Sequence, residues 1–220
     1  MKTLQFYFYL FAALCSVNSL FAQEAIGDGR LFPKFEKGTV FFKNGGQAFA
    51  SLNYDMVQEQ MLFLVPDSTE MKIANPLDVA VVKIGERRFL PASSRDIFYE
   101  EIPAGEGSFF VQRIAFYLSE GKAAGYGGYS QTQASTSVVS VQQGGNIVKL
   151  KPGDKFKLVT EYVYYLQSGN KYKKFYSAKT LGKLFKGHES EIQAFADRES
   201  INFRKMEDVA RIVEYGYSLK

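Results

Sequence analysis

The chain has one cysteine, one histidine and no tryptophan in 220 residues, and these scarcities remove whole classes of chemistry. Cys15 falls within the opening segment. If that segment is cleaved, no thiol remains, and disulfides, thiolate nucleophiles and thiolate metal ligands go with it. His188 is the lone imidazole, so any histidine-dependent triad, proton relay or zinc site has to pass through it. Its neighbours, Gly187 and Glu189, mark a helix junction, where a solvent-exposed linker histidine is expected rather than a catalytic one. No metal site and no cofactor is predicted.

A long apolar run is also missing. The stretch from Leu4 is interrupted by Ser16, Asn18 and Ser19 before it reaches the roughly 20 apolar residues a membrane helix needs. What stands there instead has the layout of a cleavable export signal: a basic start at Met1-Lys2-Thr3, an apolar run from Leu4 to Leu14 and a small-residue exit at Phe21-Ala22-Gln23. Cleavage is expected after Ala22, with Ser19 as the rival position. Leu14 precedes Cys15 where a lipid-attachment box needs a small residue, which disfavours a lipoprotein. The sequence therefore predicts an exported protein, in the periplasm or associated with the outer membrane, with residues 1–22 as signal and no transmembrane span afterwards.

The remaining residues are numerous enough for a substantial core, and 46% of the chain is hydrophobic, with 20 Phe and 14 Tyr. Such a composition folds. The formal charge of +4 is unevenly spread: residues 23–150 carry 12 basic and 14 acidic side chains, whereas 151–220 carry 14 basic and 9 acidic. The only stretch resembling a basic face with aromatics is Lys171-Tyr172-Lys173-Lys174-Phe175-Tyr176, which reads as a solvated strand rather than a nucleic-acid surface. No nucleic-acid partner is predicted. Contact with anionic lipid headgroups or acidic glycans is left open.

Short runs rich in β-branched and aromatic residues recur between turn signals. Thr39 to Phe42 leads through Asn44-Gly45-Gly46 into Gln47 to Tyr54, where Ala48, Ala50, Leu52 and Tyr54 fall on one face and Phe49 breaks the polar side. Gln60 to Val65, Glu70 to Ala74, Val79 to Ile84, Arg87 to Leu90, Ile97 to Glu101 and Phe109 to Leu118 follow as strands. The run at Val79 to Ile84 is apolar on both sides and is expected in a sheet interior. Residues 121–145, rich in Gly, Ser, Gln and Thr, read as a flexible loop, with a short strand at Val138 to Val141 as an option. Phe156 to Leu166 and Lys171 to Tyr176 form a hairpin about Ser168-Gly169-Asn170, its first strand covered on both faces. From Ser177 the period becomes helical. Leu181, Leu184 and Phe185 follow a Ser177 cap and end at Gly187, a capping box is read at Ser190 to Gln193, and Met206, Val209, Ala210, Ile212 and Val213 mark a last helix.

The chemistry-bearing patterns are few. Gly121-Lys122 stands before most of its glycines and is followed by no helix, so it is not a phosphate-binding loop. Carboxylates at Asp55 and Glu59, at Asp96 with Glu100 and Glu101, and at Glu189 with Glu191 sit beside turns or on faces expected to be exposed. Asp67-Ser68-Thr69-Glu70 lacks the spacing of a calcium loop. No catalytic residue is assigned and the protein is expected not to be an enzyme. Aromatics carry the remaining signal: Tyr126 and Tyr129 in the loop, and Tyr162, Tyr164, Tyr165, Tyr172 and Tyr176 in the hairpin. Candidate partner-binding residues are Tyr126, Tyr129, Tyr172, Lys173 and Lys174.

Leu52-Asn53-Tyr54-Asp55 followed by Glu59-Gln60-Met61-Leu62-Phe63, then Ala74-Asn75-Pro76, Phe89, the Gly125-Tyr126-Gly127-Gly128-Tyr129 segment and the closing Lys-Leu-Phe and Glu-Asp helices occur together. In this combination the chain resembles an uncharacterised family of small exported proteins of Bacteroidetes. The resemblance implies an envelope location and a β-rich fold with a helical end, and it carries over no activity and no site residue.

The expected fold is α+β: an antiparallel β-meander or open roll over residues 23–176, followed by two or three C-terminal α-helices in 177–220 packed on the sheet. The leading functional expectation is a non-enzymatic module that binds an envelope protein or envelope component. The alternatives are a carrier of a lipid or other apolar ligand and, third, a carboxylate-dependent hydrolase.

Overall fold

The computed structural model describes residues 29–92, 96–123, 129–130, 154–169 and 171–220. Their strands are β1 (Glu36–Phe42), β2 (Gln47–Asp55), β3 (Gln60–Leu64), β4 (Glu70–Lys72), β5 (Val79–Ile84), β6 (Arg87–Pro91), β7 (Phe98–Ala104), β8 (Gly107–Ala123), β9 (Tyr129–Ser130), β10 (Asp154–Ser168) and β11 (Lys171–Phe175). Three helices close the chain: α1 (Ala178–Gly182), α2 (Glu189–Arg198) and α3 (Met206–Ser218). The strands form one antiparallel sheet in the order β11-β10-β8-β7-β6-β5-β1-β2-β3-β4, with β9 paired to β8 off that path. The fold is therefore α+β, an open antiparallel sheet followed by helices.

The β1–β2 hairpin turns at Asn44-Gly45-Gly46, where Gly45 takes φ +86° and the Asn44 carboxamide oxygen accepts from the Gly46 N–H at 2.9 Å. Val40 stands opposite both Ala48 and Val82, so β1 lies between β2 and β5 with Val40, Ala50, Leu52, Val82 and Ile84 on one face. That face closes on itself. The Met56 carbonyl beyond β2 accepts from the Ala115 N–H of β8 at 2.9 Å, and the Tyr54 hydroxyl donates to the Phe98 carbonyl of β7 at 3.2 Å. The sheet curls into an open roll around Leu52, Tyr54, Met56, Met61, Val82, Phe89 and Phe98, all buried. Gly38 permits the tight approach: a Cβ there would stand 2.5 Å from the Lys83 carbonyl oxygen and 2.7 Å from Leu52 Cδ1.

β8 and β10 pair in unbroken register from Leu118 opposite Lys157 to Phe110 opposite Tyr165. On the same face as the roll interior, but further along these strands, Phe109, Val111, Tyr164, Leu166 and Phe175 meet Leu181, Phe185, Ile192, Val209, Ile212 and Val213 of the helical segment. Burying this apolar stripe against the sheet holds α3 in place. Gly216 lets the helix close on the Phe185 ring, and Tyr217 lies over Gly107 with its hydroxyl donating to the Ser108 carbonyl at 2.9 Å. On the opposite face Tyr99, Phe110 and Tyr165 make a smaller cluster with Ala92 and Ile97, Tyr99 and Tyr165 stacking at 4.7 Å. At Tyr164 to Leu166 β10 is covered on both faces.

The open roll departs from chain order once, where β4 is an edge strand and β5 returns beside β1. Other expectations need correction. β5 is interior within the sheet but covered on one face only: Val79, Val82 and Ile84 are buried while Ala80 and Lys83 are exposed. The Gly-rich stretch does not begin as a loop, since Gly121 to Ala123 extend β8, and Tyr129 and Ser130 pair with Ala123 and Lys122. α1 ends at Gly182, and Gly187, at φ +88°, closes a following turn instead. Ser177 does cap α1, in a reciprocal box with Thr180. The box at Ser190 is absent because α2 starts two residues earlier, with His188 at its cap position and no side-chain cap bond. The signal residues 1–22, Tyr126 and the strand at Val138 to Val141 lie outside the described residues.

Candidate binding cleft in the rolled sheet

The same strand face that fills the roll leaves a gap toward the β1–β2 turn. Ala48 and Ala50 occupy inward positions where Leu52, two residues on, fills the core, so the face loses bulk step by step. A cleft of about 740 Å³ results, lined by Val40, Phe42, Ala48, Ala50, Leu52, Phe63, Ile73 and Ala74, with Lys43, Asn44, Asn75 and Asp78 completing it. Its wall after β4 is fixed by backbone bonds: Ile73 N–H donates to the Met61 carbonyl at 3.0 Å, and Lys43 N–H to the Asp78 carbonyl at 2.9 Å. The latter ties the hairpin to the 3-10 turn Pro76–Asp78. Within that wall the Asn75 amide donates to the Asp78 carboxylate at 2.6 Å.

This lining is mostly apolar. It holds one carboxylate, Asp78, engaged by Asn75, and no cysteine, histidine, serine or tyrosine. Glycoside hydrolysis needs two carboxylates facing each other. Lys43 is exposed, and no ion pair engages it among the described residues. The cleft thus offers an apolar trough with a cation at its rim, within the roughly 300–1,000 Å³ typical of small-molecule sites.

Of the residues predicted for partner binding, Tyr172, Lys173 and Lys174 do not lie here. Tyr172 is half-buried, edge-on to Tyr99 at 5.0 Å and Phe110 at 4.9 Å, so its ring is packing material. Desolvation, followed by the neighbouring Tyr99 and Glu101, raises its pKa. Lys173 and Lys174 are exposed on β11, and Tyr129 sits in β9. Of the other hairpin tyrosines, Tyr164 and Tyr165 are buried, whereas Tyr176 is 66% exposed. His188 is partly exposed, 3.5 Å from the Glu191 carboxylate.

The carboxylates expected on exposed faces are partly buried ones. Glu59 is 2% and Glu100 4% exposed. Glu59 accepts from the Gln112 amide, whose oxygen accepts from the Tyr165 hydroxyl at 2.8 Å. Glu100 accepts from Arg87 Nε at 2.5 Å and Nη2 at 2.8 Å, and from Arg113 Nε. Burial raises the Glu100 pKa, but the hydrogen bonds and charges of Arg87 and Arg113 outweigh it and hold the group below its ordinary range. Arg87 lies over the Phe32 and Phe89 rings, and Arg113 over Tyr162 with Nη2 3.7 Å from Met206 Sδ. These residues share the core face, so the Arg-Glu-Arg group joins the roll interior to the helix-covered core; it is a structural seam.

No protein-family model matches the chain, and neither the curated proteins nor the solved structures contain a match. Among the described residues no helix is long and apolar enough to cross a membrane, and no three His, Cys, Asp or Glu side chains stand together as metal ligands.

Proposed function

We propose that the chain is an exported, non-enzymatic binding protein that holds an apolar or amphiphilic ligand, such as a lipid chain, in the cleft between β1, β2, β3 and the turn after β4. The observation that carries this reading is the 740 Å³ space whose lining is apolar and whose polar groups are few. The groove is open at its rim, where Ala48 and Asn75 are exposed, and its mostly apolar lining is surface that an apolar ligand would cover. Export follows from the opening segment alone, and a carrier in the envelope is consistent with it.

The test is titration of a fluorescent fatty acid into the purified chain and into Ala50→Phe. The added ring would fill the trough at a half-buried position, and binding should fall at least tenfold while the melting temperature moves only a few degrees. Equal binding by both proteins would remove the cleft as the site; no binding by either would remove the carrier reading.

A further inference from the structure

Residues 171–186 hold six lysines, Lys171, Lys173, Lys174, Lys179, Lys183 and Lys186, and no aspartate, glutamate or arginine. The fold sets this run at one end of the sheet, where β11 is the terminal strand and α1 follows it after two residues. That link is fixed, since the N–H groups of Tyr176 and Ser177 both donate to Thr180 Oγ1 at 3.0 Å. Past α1 the Leu184 and Phe185 N–H groups donate to the Leu181 and Gly182 carbonyls at 2.8 Å and carry the coil one turn further. Spacings of four and three then put Lys179, Lys183 and Lys186 along one side of the coil, while Ala178, Leu181 and Phe185 are buried. All six lysines are exposed. So is the Tyr176 ring, which stands between the two sets.

None of the six lysines is in an ion pair among the described residues. The carboxylates at the margins of the run do not neutralise it. Glu189 accepts from the Gly187 N–H at 2.9 Å, and Glu191 stands 3.5 Å from His188. Glu161 lines a groove with Lys174, but Arg204 lines the same groove and adds a seventh cation. A surface that only has to stay in solution mixes both signs, whereas a patch of one sign draws a partner of the other. The choice of cation narrows that partner. Arginine's planar fork fits a single carboxylate or phosphate, while lysine is a point charge on a flexible stem. A run of lysines alone, with an amphipathic ring among them, suits a diffuse layer of anionic headgroups rather than one shaped ligand. We propose that β11, Tyr176 and α1 form a face that docks on an anionic lipid surface, the lysines against the headgroups and the Tyr176 ring at their level. The face lies toward the opposite end of the sheet from β1, β2 and β3 and does not depend on the cleft.

Co-sedimentation of the purified chain with vesicles of phosphatidylcholine, with and without a third of phosphatidylglycerol, tests this. Partitioning should require phosphatidylglycerol and fall steeply as salt rises from about 0.1 to about 0.5 M. It should weaken about tenfold or more in Lys179→Gln/Lys183→Gln/Lys186→Gln, whose fold is checked by its melting curve. The control is Lys34→Gln/Lys37→Gln/Lys72→Gln, three exposed lysines elsewhere whose loss lowers the net charge equally and should change partitioning less than twofold. Equal binding to both kinds of vesicle, an unchanged first variant, or a control variant weakened as much as the first would each overturn the proposal. So would binding to soluble polyglutamate without any partition onto the anionic vesicles, which would assign the face to an acidic chain instead.

Discussion

Glu100→Gln is the sharpest probe of how this sheet is held together. The substitution keeps the side-chain shape but removes the negative charge that faces Arg87 and Arg113. Arg113 is 6% exposed and stays inside the sheet, so its charge loses that compensation where water cannot replace it. Breaking one partner of a buried ion pair costs about 3–5 kcal/mol. Arg87 is a quarter exposed and adds little to that. With a urea slope near 2 kcal/mol/M, the midpoint at pH 7 should fall by about 1.5–2.5 M. Glu101→Gln is the control: its partner Arg88 is half exposed, and the loss should stay under about 1 kcal/mol. The pH dependence follows from the sign of the shift. The folded-state pKa of Glu100 lies below its ordinary value of 4.5, so its contribution is complete above that value and is lost as pH falls through the folded pKa. The gap between the natural chain and Glu100→Gln should therefore hold from pH 7 to about 5 and narrow below it. Urea titrations by circular dichroism at several pH values would show this. If Glu100→Gln matched Glu101→Gln at pH 7, or if the gap were flat down to pH 3, the seam would not be the electrostatic junction described.

Two further predictions concern packing and alkaline pH. Ile212→Ala empties a fully buried position between α3 and the sheet and should cost about 2–5 kcal/mol in the same titration; a loss under 1 kcal/mol would mean that α3 is not part of the cooperative core. Tyr54 is held neutral, first by burial and then by the nearby Glu59 and Asp55 charges, so its folded-state pKa lies well above 10. Stability should accordingly fall as pH rises beyond about 10, where the unfolded tyrosine ionises first, and a Tyr54→Phe chain should lose less over that range.

Much of the fold was legible because its signals are local. Asn44-Gly45-Gly46 and Ser168-Gly169 carry their turns in the sequence, the two-sided pattern of Tyr164, Tyr165 and Leu166 reports a strand covered twice, and Met206, Val209, Ile212 and Val213 mark one helix face. What failed has no local signal. Nothing in β1 says that its second neighbour is β5 rather than a more distant strand, because register is decided by pairing across the chain. Glu100, next to Glu101, has the look of a surface pair. It turns inward only because the β6–β7 and β7–β8 registers set it opposite Phe89 and Val111, on the face that Arg87 and Arg113 share.

The cleft shows the same limit from another side. Alternation in Gln47 to Tyr54 places Ala48, Ala50, Leu52 and Tyr54 on one face, and they share it, with Leu52 and Tyr54 buried, Ala50 half-buried and Ala48 exposed. It does not say that the inward space is filled. The trough exists where small residues at 48 and 50 lie on the Val40 face, with Phe63 of β3 and Ile73, just after β4, lining its other side. A face whose inward residues shrink from Tyr54 through Leu52 to alanine is a readable hint that something other than the chain's own side chains belongs there. The tyrosines drew attention instead, because exposed aromatics are expected at interfaces. Among the described residues Tyr165 and Tyr172 pack against Tyr99, while Tyr176 is exposed. Bulk missing from the face of β2 that carries Ala48 and Ala50 is thus the mark on which the proposed binding surface rests.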